Sequence, residues 1–232
     1  MEAKLEFLKK YRNNVELVND EMLKNLKDNK IPDYWLDVFK EKDVKIRIIK
    51  TIEIWKNFIP KELSNTIMYL EENLTCIELI KINEKFSILY SIRGKDNNIE
   101  YYEGKFPNVE FTNKNLLENW KNIPNSIKTF YEKVNNGFYF YASHSMGLVP
   151  FDEVTYFLDD EWGILEELDE PLAINLETTF GFFNSGMGGY VAVDFDNCDD
   201  GKGVLWFTSR QPKYNINFWD FVDEWIVIGF QS

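Results

Sequence analysis

The sequence predicts an α+β fold, and three observations predict it. Apolar residues recur at three- and four-residue steps over roughly the first seventy positions, the period of a helix. Runs rich in Ile, Tyr and Phe follow, bounded by turn residues. From about residue 120 a helix, several short strand candidates and a closing helix succeed one another, the order of an α+β arrangement.

In the segment KLEFLKKYRNNVELVNDEMLKNLK, residues 4–27, Leu5, Leu8, Val15, Val18, Met22 and Leu26 trace one apolar face of a helix. Pro32 opens a short helix through DYWLDVF, because proline's fixed φ suits a first helical turn. DVKIRIIKTIEIWKNFI gives a third, carrying Ile48, Ile52 and Trp55 before Pro60 interrupts it, and KELSNTIMYLEENL a fourth. TCIELIKI, KFSILYSI and NIEYYEGKF, separated by Asn-Glu and Gly-Lys-Asp-Asn-Asn, read as a three-strand meander. These elements make up an N-terminal region, residues 1–118.

Residues 119–232 form the second unit. In IPNSIKTFYEKVNNGF, Pro124 starts a helix, Ile127, Phe130, Tyr131 and Val134 supply its apolar stripe, and Asn136-Gly137 stop it. Strand candidates lie at FYFY, GLVPFDEV, PLAINL, GGYVAVDF and GVLWFTSR. In NINFWDFVDEWI, Phe218, Phe221, Val222 and Trp225 fit one face of a final helix.

The net charge of −13 is unevenly spread. Residues 1–118 hold 20 basic and 21 acidic residues, whereas residues 119–232 hold 6 and 18, a net of −12. Such a surface repels nucleic-acid phosphates and suits a basic partner, or serves solubility alone. MEAKLEFLKKYR lacks the apolar core of a secretory signal and no apolar run reaches membrane-span length, so a cytoplasmic location without membrane contact is the expectation. Cys76 and Cys198 suggest neither a disulfide framework nor a zinc site.

The most chemical-looking stretch is SGMGGYVAVDFDN, residues 185–197. Its glycines miss the G-x-G-x-x-G spacing and lead into a strand, so they read as a tight turn using positive φ. A calcium loop through DFDNCDDG loses essential ligands in either register: starting at Asp194 puts Asp199 at the glycine position, and starting at Asp196 puts Phe207 where the bidentate glutamate belongs. His144, the single histidine, stands beside Ser143 and Ser145 without a nucleophile elbow, and excludes a multi-histidine metal centre. Neither metal nor cofactor is expected. A carboxylate-pair hydrolase would need two close acids in a cleft, and the run DDEWGILEELDE reads more simply as a solvated face.

In their order, IPNSIKTFYEKVNNGF, GLVPFDEV, FNSGMGGYVAVDFDN, GKGVLWF and NFWDFVDEWI resemble the SUKH superfamily, which includes bacterial immunity proteins and fungal cell-wall regulators. The resemblance covers about half of the chain. It implies a SUKH-like mixed sheet with flanking helices, no catalytic residues, and action by binding a cognate toxin, often a nuclease encoded beside it. Pro124, Gly137, Pro150, Gly189, Tyr190 and Asp194 become framework positions. The partner is then a basic protein toxin from a neighbouring gene. Its expected contacts are Asp159, Asp160, Glu161, Glu166, Glu167, Asp169 and Glu170, with Trp162 as aromatic anchor, and Asp196, Asp199 and Asp200 as a second cluster. Trp162 packing inward is the alternative for that residue, and a regulatory module with an endogenous partner is the alternative for the whole chain.

Overall fold

A computed structural model describes residues 2–24, 31–107, 113–162, 168, 170–198, 201–207 and 210–231. The chain begins with α1 (Glu2–Tyr11), β1 (Val15–Leu17), α2 (Asp20–Lys24), α3 (Asp33–Lys40), α4 (Val44–Phe58) and α5 (Ser64–Asn73). The meander follows as β2 (Leu74–Ile82), β3 (Lys85–Arg93) and β4 (Ile99–Lys105), then α6 (Lys114–Asn119) and α7 (Asn125–Thr129), which widens into a π turn over Phe130–Val134. The remaining elements are β5 (Asn136–Phe140), β6 (Ser145–Leu148), β7 (Thr155–Tyr156), β8 (Thr179–Asn184), β9 (Gly189–Asp194), β10 (Lys202–Phe207), β11 (Lys213–Asn217) and α8 (Phe218–Phe230).

The strands make one sheet in the order β1-β2-β3-β4-β5-β6-β8-β9-β10-β11, with β7 also on β8. The α+β class is as expected. Every pairing among the described residues is antiparallel, which corrects the mixed sheet that the resemblance implied. Nor does the sheet break at residue 118/119. Strand β4 pairs with β5 across it, Tyr102 opposite Phe140 and Glu103 opposite Tyr139, so both regions share one sheet and one main core.

Three expected elements differ. Residues 4–27 do not form one helix: Asn14 adopts φ +57, and Val15, Glu16 and Leu17 pair with Ile82, Lys81 and Ile80 on the edge of β2. The strand expected at PLAINL is instead a covering segment leading into a 3₁₀ turn at Leu176–Thr178, and the strand lies just beyond it, in TFGFFN. The closing helix is preceded by β11, and Asn217 divides them by accepting the N–H groups of Trp219 and Asp220 at its side-chain oxygen.

Both faces of the sheet are covered. On one, α3, α4, α5, the α7–π helix and α8 bury Trp35, Trp55, Ile67, Phe130 and Val222 against alternate residues of the strands. On the other, α1 sets Leu8 against Ile80, Leu89 and Tyr141, and Phe157, Trp162, Leu172, Ile174 and Leu176 close over Ala192, Val204 and Trp206. Strand β9 is therefore buried on both sides, Val191 and Val193 facing the helices and Tyr190 and Ala192 the second cover. Where β6 and β7 lie along β8, residues 149–154 leave the sheet through the 3₁₀ turn Phe151–Glu153. Gly137 permits this, because its φ is +82 and an added Cβ would lie 2.6 Å from the Pro150 nitrogen.

Helix α5 has no capping side chain of its own, Leu63 preceding it. The cap comes from α8: the buried Asp223 carboxylate accepts the N–H of Asn65 at 2.9 Å and of Thr66 at 2.7 Å. Two otherwise orphaned helix donors and the positive end of the helix dipole are thereby satisfied across 157 residues of sequence. Substituting Asp223→Ala is expected to cost about 2 kcal/mol in urea unfolding, with Asp223→Asn losing less. A loss below about 0.5 kcal/mol for the alanine variant would show that water replaces the carboxylate.

Candidate functional site

The acidic segment begins at the sheet's second cover. After β7 the chain makes a 3₁₀ turn at Phe157–Asp159, and Phe157 is buried against Tyr190 and Trp206. That anchoring leaves Asp159, Asp160 and Glu161 exposed, Asp159 taking one hydrogen bond of 3.1 Å from Asn115 Nδ2. Glu170 is also exposed, and its backbone carbonyl accepts from Gln211 Nε2 at 2.9 Å. Glu166, Glu167, Asp169, Asp199 and Asp200 lie outside the described residues. The ion pairs among the described residues involve none of Asp159, Asp160, Glu161, Glu170 or Asp196.

Trp162 is not a protruding anchor. It packs 4.6 Å from the Trp206 ring and 5.0 Å from Phe157, and its indole N–H donates to the Phe157 carbonyl at 2.7 Å. This is the inward packing weighed as its alternative, and its physical reason is the uncovered aromatic surface of β9 and β10. Asp196 is exposed, but at the far end of β9. The charge of Asp160 reaches Tyr190 at the beginning of that strand, so Asp160 and Asp196 lie toward its opposite ends.

Asp194, by contrast, is buried and fully occupied. Its carboxylate accepts Thr178 Oγ1 at 2.6 Å, Asn197 Nδ2 at 2.8 Å, the Asp196 N–H at 3.3 Å and the Tyr214 hydroxyl at 3.5 Å. Burial first, and then this carboxylate, hold the Tyr214 phenol well above its ordinary range. Asp194 thus ties the turn after β9 to β11 and the covering segment. Among the described residues no group of three or more histidine, cysteine, aspartate or glutamate side chains could hold a metal ion.

The glycine turn is built by its neighbours' side chains. Asn184 Oδ1 accepts the Gly186 N–H at 2.7 Å, and Ser185 Oγ accepts those of Met187 and Gly189 at 3.2 and 3.0 Å. Gly186 and Gly188 have φ of +76 and +74, which glycine adopts without strain.

A second group of polar residues gathers around His144, and its other members were not singled out by the sequence. His144 sits at φ +54, with Nδ1 3.3 Å from Glu153 Oε2 and its ring 4.9 Å from that of Tyr139. Lys105 Nζ lies 3.3 Å from Asp152 and 3.5 Å from Glu153. Beside them Glu103, directly opposite Tyr139 in the sheet, is only 3% exposed. Glu103 Oε2, the Tyr139 hydroxyl and His144 Nε2 are buried without hydrogen-bond partners among the described residues. Burial raises the Glu103 pKa, with Ser87, Lys105 and Arg12 opposing the rise. The only sequence signal was parity: Tyr101, Glu103 and Lys105 share one face of β4, while Tyr102 faces the main core.

Set beside known proteins, the chain matches no family model, no curated protein and no solved structure.

The Glu103 geometry has a signed consequence. A carboxyl whose folded pKa lies above its unfolded value of 4.5 contributes stability that is complete below that value and is lost as pH rises through the folded pKa. Glu103→Gln should match the parent in urea unfolding at pH 4 and exceed it by at least about 1 kcal/mol at pH 8. An equal difference at both pH values would mean that folding does not shift the Glu103 pKa.

Proposed function

We propose that this chain is a non-enzymatic, cytoplasmic immunity protein of the SUKH type, which neutralises a basic protein toxin, a nuclease or other nucleic-acid-targeting effector, encoded by a neighbouring gene. One observation carries the reading: in a half with a net charge of −12, Asp159, Asp160, Glu161 and Glu170 are exposed and take part in no ion pair among the described residues. Nucleases hold phosphates with basic surfaces, and unpaired carboxylates complement such a surface and speed encounter with it. The family assignment itself rests on the order of the sequence motifs.

One further feature favours binding over catalysis. Among the described residues, the two carboxyl groups whose pKa is raised by burial, Glu100 and Glu103, lie three residues apart on β4 and so face opposite sides of the sheet. They are not placed as an acid–base pair. No helix among the described residues is long and apolar enough to cross a membrane.

Co-expression with the product of the adjacent reading frame tests the assignment. Growth arrest by that product alone, relieved by this chain, is the expected result; a neighbour that is harmless, or remains toxic, overturns it. Within the assignment, Asp159→Lys, Asp160→Lys and Glu161→Lys together should slow association by about tenfold at low salt and flatten its salt dependence. Unchanged association kinetics would remove this surface from the interface.

A further inference from the structure

Helix α8 buries Phe218, Trp219, Val222, Ile226 and Phe230 in the main core, and the flank adjoining that face is also apolar. Phe221, Trp225 and Ile228 follow the i, i+4, i+7 spacing of one helical stripe. Ile228 is 49% exposed, and Phe221 and Trp225 are half-buried. The stripe continues onto the sheet, where Phe207 stacks 5.8 Å from Trp225 and carries the Arg210 guanidinium 4.7 Å above its ring. Beside Phe207, which pairs with Gly189, the rigid glycine turn projects Met187, 84% exposed.

Trp225 is set apart among the seven tryptophans. Five donate their indole N–H within the chain: Trp35, Trp120, Trp162, Trp206 and Trp219. Trp55 is wholly buried in the core. The Trp225 N–H has no partner among the described residues and is not buried. An amphipathic ring with an unspent donor, surrounded by Phe, Met and Arg, has the composition of an interface centre.

We infer that the α8 stripe and the Met187 turn form a docking surface for a basic polypeptide segment that inserts an apolar side chain beside Trp225. The choice of occupant follows from charge. Asp220 and Glu224 run beside the stripe one turn apart and are exposed, against one cation, Arg210, which is held over the Phe207 ring. A second copy of this chain would bring the same carboxylates against each other. The inference rests on the partner being basic, as proposed above, and adds an apolar anchor to the electrostatic contact at Asp159–Glu161.

The probe is a short peptide of alternating lysine and leucine, titrated into the isotopically labelled chain while the indole N–H signals are followed. The largest shift should fall on Trp225. Met187→Ser and Ile228→Ser, both at exposed positions outside the core, should each weaken binding several-fold, and Trp225→Ala by about tenfold. Shifts centred on Trp162, no shift at Trp225, or unchanged affinity in the serine variants overturn the inference. So does a concentration-dependent dimer of the chain alone that Ile228→Ser abolishes, because a second copy is then the occupant. Docking at Trp225 without toxin neutralisation would sink the immunity reading and keep this surface; neutralisation with full affinity in all three variants would do the reverse.

Discussion

The pairing of β4 with β5 is the constraint on which the rest of the structure depends. It joins a meander of local hairpins to strands that follow α6 and α7, and the main core forms astride it. Tyr102 of β4 stacks 5.0 Å from Phe138 of β5 and meets Phe230 of α8 edge-on at 4.8 Å, while Phe138 also meets Trp55 of α4. The close approach is held by Asn135, whose side chain accepts the Tyr90 hydroxyl and donates to the Lys105 carbonyl. Gly104 lies directly beneath it, where a Cβ would come within 2.4 Å of Asn135 Nδ2. With the sheet continuous, α8 returns to α5 and Asp223 reaches its N-terminus.

A sheet with this many strands exposes two apolar faces, and the chain covers them by different means. Helices serve one face throughout. The other has two separate covers, α1 at one end and Phe157, Trp162, Leu172, Ile174 and Leu176 at the other. Between them the strands present Glu103, Tyr139 and Lys105 in place of aliphatic residues, and His144 and Glu153 close the gap from the loops. Polar residues collect where apolar cover runs out, and the unpartnered atoms there reflect a seam that no single element was shaped to fill.

How much of this was legible in the sequence depended on how local its cause was. Helices α3, α4 and α5 and the meander carry their own periodicity, proline starts and turn residues, and they appear where expected. The break at Asn14 did not, because Val15 and Leu17 fit a helical spacing and only their pairing with β2 makes them a strand. Strand β8 was missed for a related reason: TFGFFN, buried on both faces, lacks alternation and contains glycine. The acidic surface was legible as charge, but not its geometry. Nothing in the run from Asp159 to Glu170 says that Trp162 turns inward, or that Asp196 stands at the opposite end of β9. Least legible were the buried acids, since carboxylates read as solvated until their donors are known.

The acids divide by what they do. Asp194 and Asp223 each gather several donors and hold distant segments together, so their positions follow from the fold. Asp159 has one side-chain donor, and none of the ion pairs among the described residues engages it, Asp160, Glu161, Glu170, Asp220 or Glu224. Exposed carboxylates so arranged add mutual repulsion to the folded chain, and the Asn115–Asp159 hydrogen bond offsets it at one position. Trp225 is their apolar counterpart: its ring lies against Phe207 and Phe183, but its N–H and the neighbouring Ile228 are left to solvent. The proposed partner would use features that the fold does not use and that carry a cost when left alone. A basic partner with an apolar anchor would relieve the repulsion and bury the ring in one contact.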